Sequence, residues 1–201
     1  GFQDYIGADG SEAWVTDTDH VTGTVIECQA CHNDVADNLD AVTFPSGALV
    51  ENVGPSARCM TCHQGRSSSD TVDTAITDAA VADDDTVSAD LGFINIHYYA
   101  AGATLMAGLA RGGYQYADSI YDVRFRHVED RNACVECHDP HTLEVQIDAC
   151  ATCHEGVTVV EDLHDVRMMS SATSDYDGDG DLDEGIYHEM VGLRDVLFTA
   201  I

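Results

Sequence analysis

The sequence predicts a mostly irregular fold with a few short α-helices and little β-structure. Three observations lead to this expectation. Most of the 201 residues lack a sustained helical or strand periodicity. A long polar and acidic segment, residues 67–91, contains no aromatic side chain. All eight cysteines fall into four copies of one short pattern, so we expect groups bound at these copies to supply much of the core.

A few segments carry the predicted regular elements. Residues 67–91 are expected to form a surface loop with a short helix around residues 74–82. Residues 98–116 are rich in Gly and Ala, which would let the backbone approach flat surfaces closely. Helices are predicted at residues 150–155 and 184–199, in the second case because apolar residues recur at helical spacing.

The charge of the chain is strongly unbalanced, with 37 acidic and 8 basic residues and a formal net charge of -29. All the basic residues are Arg. Such a chain repels nucleic acids and anionic membranes, so no nucleic-acid partner is expected. The acid excess favours solubility or life in high salt, where the Debye length falls to roughly 3 Å near 1 M. No apolar run reaches 18 residues, so the sequence predicts no membrane span.

The cysteines form four Cys-x-x-Cys-His motifs, and none is left over. The cysteine pairs are Cys28 and Cys31, Cys59 and Cys62, Cys134 and Cys137, and Cys150 and Cys153. The histidines that follow them are His32, His63, His138 and His154. This pattern attaches heme, because two thiols add to its vinyl groups and the adjacent His binds the iron as proximal ligand. Four disulfides or zinc knuckles are the alternatives, but neither requires a His after every second Cys. The sequence therefore predicts four heme c groups.

Six further histidines are available for the second axial position of the four irons. The predicted distal ligands are His20, His97, His127 and His141. His164 and His188 lie among acidic residues and are expected to be exposed. Met is the rival ligand, but the methionines outside the motifs are expected to be packing residues. Bis-His ligation leaves no position for a substrate, so we predict an electron-transfer protein with no catalytic residues.

His141 can be assigned further from its position in the chain. It follows His138 by three residues with the stiff Pro140 between them. The two axial ligands of one heme lie on opposite faces, and so short a segment cannot pass around the macrocycle. We therefore expect His141 to ligate a different heme from His138. The third and fourth motifs are 16 residues apart, so their hemes are expected to be in contact.

A second metal site is predicted in residues 175–186, near the end of a single domain that we expect to cover residues 1–201. Acidic residues at positions 1, 3 and 5 and Gly at position 6 match the first half of an EF-hand calcium loop. Ile186 replaces the usual Glu of position 12. The predicted Ca²⁺ ligands are Asp175, Asp177, Asp179, Asp181 through its carbonyl, and Glu184. The alternative is an acidic turn in a very acidic protein.

The four motifs, the acidic loop and several connecting phrases together suggest a family. The phrases are Asn-Ile-His-Tyr-Tyr at 95–99, Gly-Gly-Tyr-Gln-Tyr at 112–116, Arg-Phe-Arg-His at 124–127 and Cys-His-Asp-Pro-His at 137–141. In these features, most of the chain from Trp14 onward resembles the tetraheme extracellular cytochrome nanowires of the OmcE type. The resemblance implies loop-rich subunits that polymerise into a filament. It also implies a continuous chain of bis-His hemes, with one axial His donated to a neighbouring subunit.

The expected function is thus extracellular electron transfer by a tetraheme cytochrome that polymerises into a conductive filament. Its partners would be further copies of itself, other redox proteins and extracellular electron acceptors. His20 is the expected ligand in trans, on an N-terminal arm outside the His-rich middle of the chain. Covalent heme is attached outside the cytoplasm, and the chain opens with Gly1, so we expect an exported, processed protein. The alternatives are a monomeric periplasmic or extracellular shuttle and, with an open iron, a multiheme reductase.

Overall fold

Turns and loops dominate the structure, so the predicted fold class is confirmed. The short helices and one two-stranded sheet occupy a minority of the chain. Tyr98 and Phe125, which belong to two of the connecting phrases, lie outside the described residues. The computed structural model describes residues 1–23, 25–83, 85–97, 99–124 and 126–201.

Most of the helices have only one or two turns. The α-helices within the described residues are α1 (Phe2–Tyr5), α2 (Cys28–Cys31), α3 (Asp34–Asp37), α4 (Ser56–Cys62), α5 (Ser69–Asp78), α6 (Ala101–Met106), α7 (Cys134–Cys137), α8 (Ile147–Cys150) and α9 (Ile186–Ala200). Short 3-10 helices occur at Ala107–Leu109, Val160–Asp165 and Met169–Ser171. Helices this short are marginal in isolation, so tertiary contacts and bound groups must hold them.

Two of the three predicted helices occur, with shifted boundaries. α5 begins before residue 74 because Ser68 and Thr71 form a capping box in which the Ser68 N–H donates to Thr71 Oγ1 at 3.1 Å. α9 follows the prediction for residues 184–199 closely. The prediction of a helix at residues 150–155 is wrong, because α8 ends at Cys150 and residues 151–156 form turns and a bend.

The chain divides into two compact units, Gly1–Glu136 and Cys137–Ile201. The boundary falls inside the third Cys-x-x-Cys-His motif. A single domain over residues 1–201 stays a prediction. None of the helices within the described residues combines the length and apolar character that a membrane-spanning helix requires.

The first unit contains the main hydrophobic core. An antiparallel hairpin, β1 (Ala41–Thr43) and β2 (Leu49–Glu51), pairs Val42 with Val50. α4 packs against β1 and α6. Gly102 of α6 donates its N–H to His63 O at 2.9 Å, and a Cβ at this position would come within 3.0 Å of that oxygen. The buried apolar cluster is Val42, Phe44, Val53, Ala57, Met60, Ala103, Met106 and Ala110.

The second unit has almost no hydrophobic core of its own. Val157 is the one buried apolar side chain in residues 137–201, all of which the structure describes. α9 packs against the 3-10 helix Val160–Asp165. Yet α9 leaves several large apolar side chains exposed, among them Leu197 and Phe198. Packing of side chains against one another is therefore too sparse to hold this unit.

The polypeptide exposes more surface than a compact protein of its mass. Its accessible surface is 14111 Å² for 21.6 kDa. A compact chain of this mass exposes about 9,000 Å², and two independent units of the same total mass about 11,000 Å². The excess includes fully exposed apolar side chains such as Ile120 and Phe93. This apolar surface fits a chain that packs around large apolar cofactors.

Replacing Val42 by Ala tests the hydrophobic core of the first unit. Val42 is 0% exposed, and Val87, the matched control, is 98% exposed. Val42→Ala should lower the free energy of unfolding by about 2 kcal/mol, because it removes two buried methyl groups and leaves a cavity. Val87→Ala should change it by less than about 0.5 kcal/mol. Urea unfolding of the two variants measures the difference, and equal effects would contradict this core.

Candidate heme-attachment sites and cation site

Each Cys-x-x-Cys pair lies in or beside a helical turn. α2, α4 and α7 each contain both cysteines of their motif. α8 ends at Cys150, and the N–H of Cys153 then donates to Cys150 O at 3.1 Å in the following turn. Residues three apart lie on one face of a helix. The turn therefore directs both thiols of a helical motif towards one side.

The motif histidine closes this turn in three of the four motifs. The N–H groups of His32, His63 and His154 donate to the carbonyl of the first cysteine of their motif, at 2.9, 3.0 and 2.9 Å. This is the ordinary i to i−4 helical hydrogen bond. It places the imidazole immediately after the two thiols, at the end of the turn.

Two of the motif histidines have a defined ring orientation. His63 Nδ1 lies 2.6 Å from Tyr99 O, and His138 Nδ1 lies 3.2 Å from Leu143 O. A carbonyl oxygen only accepts, so Nδ1 carries a proton in both rings, and in the neutral ring the lone pair is then on Nε2. Metal-binding histidines usually have such a partner on the second nitrogen. These rings therefore fit iron ligation through Nε2.

The thiols of the first three motifs approach one another around α4. None of the eight cysteines, all of them described, forms a disulfide. A hydrogen bond with Cys134, together with burial, raises the pKa of the Cys59 thiol far above its usual range. Burial and the neighbouring Cys31 raise the pKa of Cys62. The structure thus brings cysteines of these three motifs close together around α4.

α4 is the point at which these three motifs connect. Arg58 Nη1 donates to Cys31 O at 3.1 Å and to Asp37 Oδ1 at 3.2 Å. The fully buried Ser56 accepts a hydrogen bond on Oγ from the N–H of Cys134 at 3.1 Å. One side chain of α4 therefore holds the first motif and another holds the third.

In the second unit a tight loop connects the third motif to the fourth. The N–H of Gln146 donates to Cys137 O at 2.8 Å, and the N–H of Asp139 donates to Glu144 O at 2.9 Å. These bonds bring the start of α8 next to Cys137. Contact between the hemes of these two motifs is compatible with this short connection and stays a prediction.

Three of the predicted distal histidines lie on loops that are fixed by a side-chain cap. The N–H groups of His97 and His127 donate to Oδ1 of Asn95 and Asn132, both at 2.8 Å. The N–H of His141 donates to Asp139 Oδ1 at 2.9 Å. These caps set the backbone direction at each histidine. The iron that each one ligates stays a prediction.

His97 also has a positive φ of 84°, which is uncommon for a residue with a side chain. Such conformations cost of order 1–3 kcal/mol and concentrate at functional sites. The backbone at this predicted ligand is therefore strained.

The fourth predicted distal ligand, His20, lies in the N-terminal segment, where its Nε2 is 2.6 Å from Asp4 Oδ2. The prediction that His164 and His188 are exposed is wrong, because both are half-buried by protein contacts in the second unit. His164 stacks on Tyr187 with ring centroids 3.8 Å apart, and His188 Nε2 lies 3.1 Å from Asp165 Oδ1. These contacts orient both rings.

The fourth motif borders a cavity of about 410 Å³. Cys153 and His154 line it together with Val157, Asp162 and Arg167. Hydrogen bonds from the N–H groups of Thr158 and Val159 lower the pKa of Asp162. The cavity therefore places an anionic and a cationic side chain beside an attachment site.

Arg167 connects the cavity to the acidic loop and α9. Its side chain is 8% exposed. Arg167 Nη1 lies 2.7 Å from Oε1 of Glu189, whose carboxylate is fully buried. Arg167 Nη1 also donates to Glu184 O at 3.0 Å. Glu189 Oε2 in turn accepts from the N–H groups of Tyr176 and Asp177 at 2.7 and 3.1 Å. This network fixes the start of the loop against α9.

The loop at residues 175–185 winds around its own carboxylates. Asp175 accepts from the N–H groups of Gly178 and Gly180 at 2.6 and 3.0 Å. Both glycines have positive φ, 81° and 93°, so a side chain at either position would be strained. Asp177 Oδ1 accepts from the N–H of Asp179 at 3.1 Å.

Two groups of carboxylates in this loop could hold a cation. In each group the oxygens lie within 4.8 Å of one another, and the groups are Asp175, Asp177 and Glu189, and Asp177, Asp179 and Glu184. Burial and the surrounding carboxylates raise the pKa of Glu184, whose Oε1 is buried without a hydrogen-bond partner. Among the described residues, the carboxylate of Asp181 belongs to neither group. The ligand that the sequence predicts at this residue is its backbone carbonyl.

Glu189 was missed by sequence reasoning. It stands three residues beyond position 12 of the calcium-loop pattern, inside α9. The only sequence signal was a Glu one helical turn after the expected position.

Comparison with known proteins found a similarity to a polyheme cytochrome. The chain is 30% identical over 192 residues to the C-type polyheme cytochrome OmcB of Geobacter sulfurreducens, in each of two strains. The chain is a distant relative of a polyheme cytochrome. The match covers 77% of this chain but 24% of the relatives, so the chain spans about a quarter of their length. No protein-family model and no solved structure matches the chain. The similarity supports a multiheme c-type cytochrome.

Proposed function

We propose that the chain is a tetraheme electron-transfer protein in which each Cys-x-x-Cys-His motif attaches one heme c. The observation that carries this proposal is the helical turn at the motifs, which presents two thiols on one side with an imidazole directly after them. The polyheme relative and the exposed apolar surface also support it. Bound heme supplies a one-electron couple.

The proposed ligands are those that the sequence predicts. The motif histidines bind the irons as proximal ligands, with Nε2 of His63 and His138 left available by the carbonyl partners of Nδ1. The distal ligands are His20, His97, His127 and His141. Two axial histidines at each iron leave no position for a substrate. The protein is therefore proposed to transfer electrons without catalysing a reaction.

The cofactor load of the purified protein tests this proposal. The intact mass should exceed that of the 21.6 kDa polypeptide by four hemes, and all four should be low-spin and six-coordinate. Replacing Cys150 and Cys153 together by Ala should remove one heme and leave three. Mass spectrometry and heme staining after denaturing electrophoresis measure the load. A mass that matches eight thiols or four disulfides would contradict the proposal.

We further propose that the protein is extracellular and polymerises into a conductive filament. The support is the sequence resemblance to the OmcE-type nanowires and the position of His20 on an N-terminal segment, with its side chain 37% exposed. A head-to-tail interface that does not close on itself generates a helical filament. An axial His donated across this interface would fix the distance between hemes of adjacent subunits. The alternative is a monomeric electron shuttle.

The variant His20→Ala tests both polymerisation and ligation in trans. It should retain four attached hemes, form short filaments or none, and lose the bis-His spectrum of one iron. His188→Ala, which removes a histidine paired with Asp165, is the matched control and should behave as wild type. Negative-stain microscopy and electron paramagnetic resonance measure the two effects. Normal filaments with four bis-His hemes would refute the role of His20, and a homogeneous native monomer would favour the shuttle.

We also propose that the acidic loop binds Ca²⁺. The support is the close approach of Asp175, Asp177 and Glu189 and the buried, unpaired oxygen of Glu184. Oxygen ligands of this kind suit Ca²⁺. The buried Arg167 beside Glu189 supplies one positive charge, so the remaining carboxylates of the loop still carry an excess of negative charge. A bound cation would offset it and fix the loop against α9.

Chelation tests the calcium site. A ligand at 100 times its Kd stabilises the native state by about 2.7 kcal/mol, so removing Ca²⁺ should lower the Tm. Asp177→Asn should reduce both the metal content and this Tm difference. Asp118→Asn, at an exposed position outside the loop, is the control and should leave both unchanged. Tm and metal content that do not respond to a chelator would exclude the site.

A further inference from the structure

The N-terminal segment holds one fully buried carboxylate. Asp4 is 1% exposed, although it belongs to a short helix near the end of the chain. Its Oδ2 accepts from Thr18 Oγ1 at 2.9 Å and from the N–H of Thr18 at 3.3 Å. Its Oδ1 accepts from the N–H of Asp17 at 3.3 Å. These donors fix the position of a negative charge that solvent cannot reach.

The shortest contact of this carboxylate is with His20. His20 Nε2 lies 2.6 Å from Asp4 Oδ2. Because an ionised carboxylate only accepts hydrogen bonds, Nε2 carries the proton and the lone pair of the neutral ring is on Nδ1. The His20 side chain is 37% exposed, so one edge of the ring faces the buried carboxylate while part of the ring remains accessible.

This contact sets His20 apart from the two motif histidines whose ring partners are described. His63 and His138 are paired with the neutral carbonyls of Tyr99 and Leu143. His20 is paired with an anion. A carboxylate on the second nitrogen of a metal-binding His orients the ring and raises its basicity as a ligand. Hydrogen bonding of this kind is one of the means by which a protein tunes a heme.

We propose that Asp4 is a positioning residue that orients His20 as an axial ligand and raises its donor strength. This inference rests on the proposed role of His20 as an iron ligand. A stronger donor stabilises the ferric state, so the heme ligated by His20 has a lower reduction potential than it would have with a neutral partner. The burial of Asp4 strengthens the effect on the adjacent ring, because a buried charge is poorly screened by salt.

The test compares Asp4→Asn with Asp9→Asn in the heme-loaded protein. The first substitution keeps the shape of the buried side chain and removes its charge. Asp9 lies in the same segment and is exposed, and its Oδ1 accepts from Ser11, so its substitution removes an equal charge without touching His20. Asp4→Asn should keep four bis-His hemes and raise the potential of one of them. We expect about a tenfold change in its reduction equilibrium, about 59 mV for one electron. Asp9→Asn should leave all four potentials unchanged.

Potentiometric titration followed by optical and electron paramagnetic resonance spectra gives the result. Unchanged potentials in Asp4→Asn, or equal shifts in both variants, would overturn the proposal. If Asp4→Asn instead loses a bis-His heme, the variant Asp4→Glu tests whether the negative charge is what holds His20 on the iron. Recovery of the bis-His spectrum with the carboxylate restored supports the role of the charge, and failure to recover it overturns that role. The variant His20→Ala separates the two hypotheses. Four bis-His hemes in that variant would refute His20 as an iron ligand. The loss of one bis-His heme would support His20 as a ligand, and the potentials of Asp4→Asn would then test the role of Asp4 alone.

Discussion

A backbone hydrogen bond from the motif histidine to the first cysteine is the interaction on which the rest of this structure depends. It closes one helical turn at three of the four motifs, and so fixes the positions of the two thiols and the imidazole relative to one another. A single turn is too short to be stable alone. The side chains of α4, the loop before α8 and the caps beside the distal histidines therefore serve to hold these turns in place. The short elements of the fold follow from this requirement.

The acidic residues take part in this local order and do more than keep the chain soluble. Asp139, Asp162 and Asp175 each accept hydrogen bonds from nearby backbone N–H groups, which lowers the pKa of Asp139 and of Asp162. A short carboxylate can satisfy the backbone of a tight turn where no helix or strand does so. In a chain with so few regular elements, this capping is a major source of backbone hydrogen bonds. Part of the net charge of -29 thus comes from carboxylates that accept hydrogen bonds from the backbone of the loops.

Much of the fold and of the candidate sites could be predicted from the sequence, because they depend on local patterns. The proposed attachment residues follow from spacing alone, and α9 follows from helical periodicity. The beginning of α5 was missed because a Ser–Thr capping box decides it. Glu189 and Asp4 were missed for another reason. Each is a buried acid whose role depends on a partner, Arg167 or His20, that only folding brings near.

The shortage of apolar packing in residues 137–201 bears on how such a protein is made. A segment with one buried apolar side chain has little to fold around before its cofactors are attached. If the proposed hemes are attached outside the cytoplasm, its cysteines would then stay accessible to the attaching enzymes, and a chain that missed a heme would stay open to proteases. Maturation and folding would become a single event, with degradation removing the copies in which the path for electrons is incomplete.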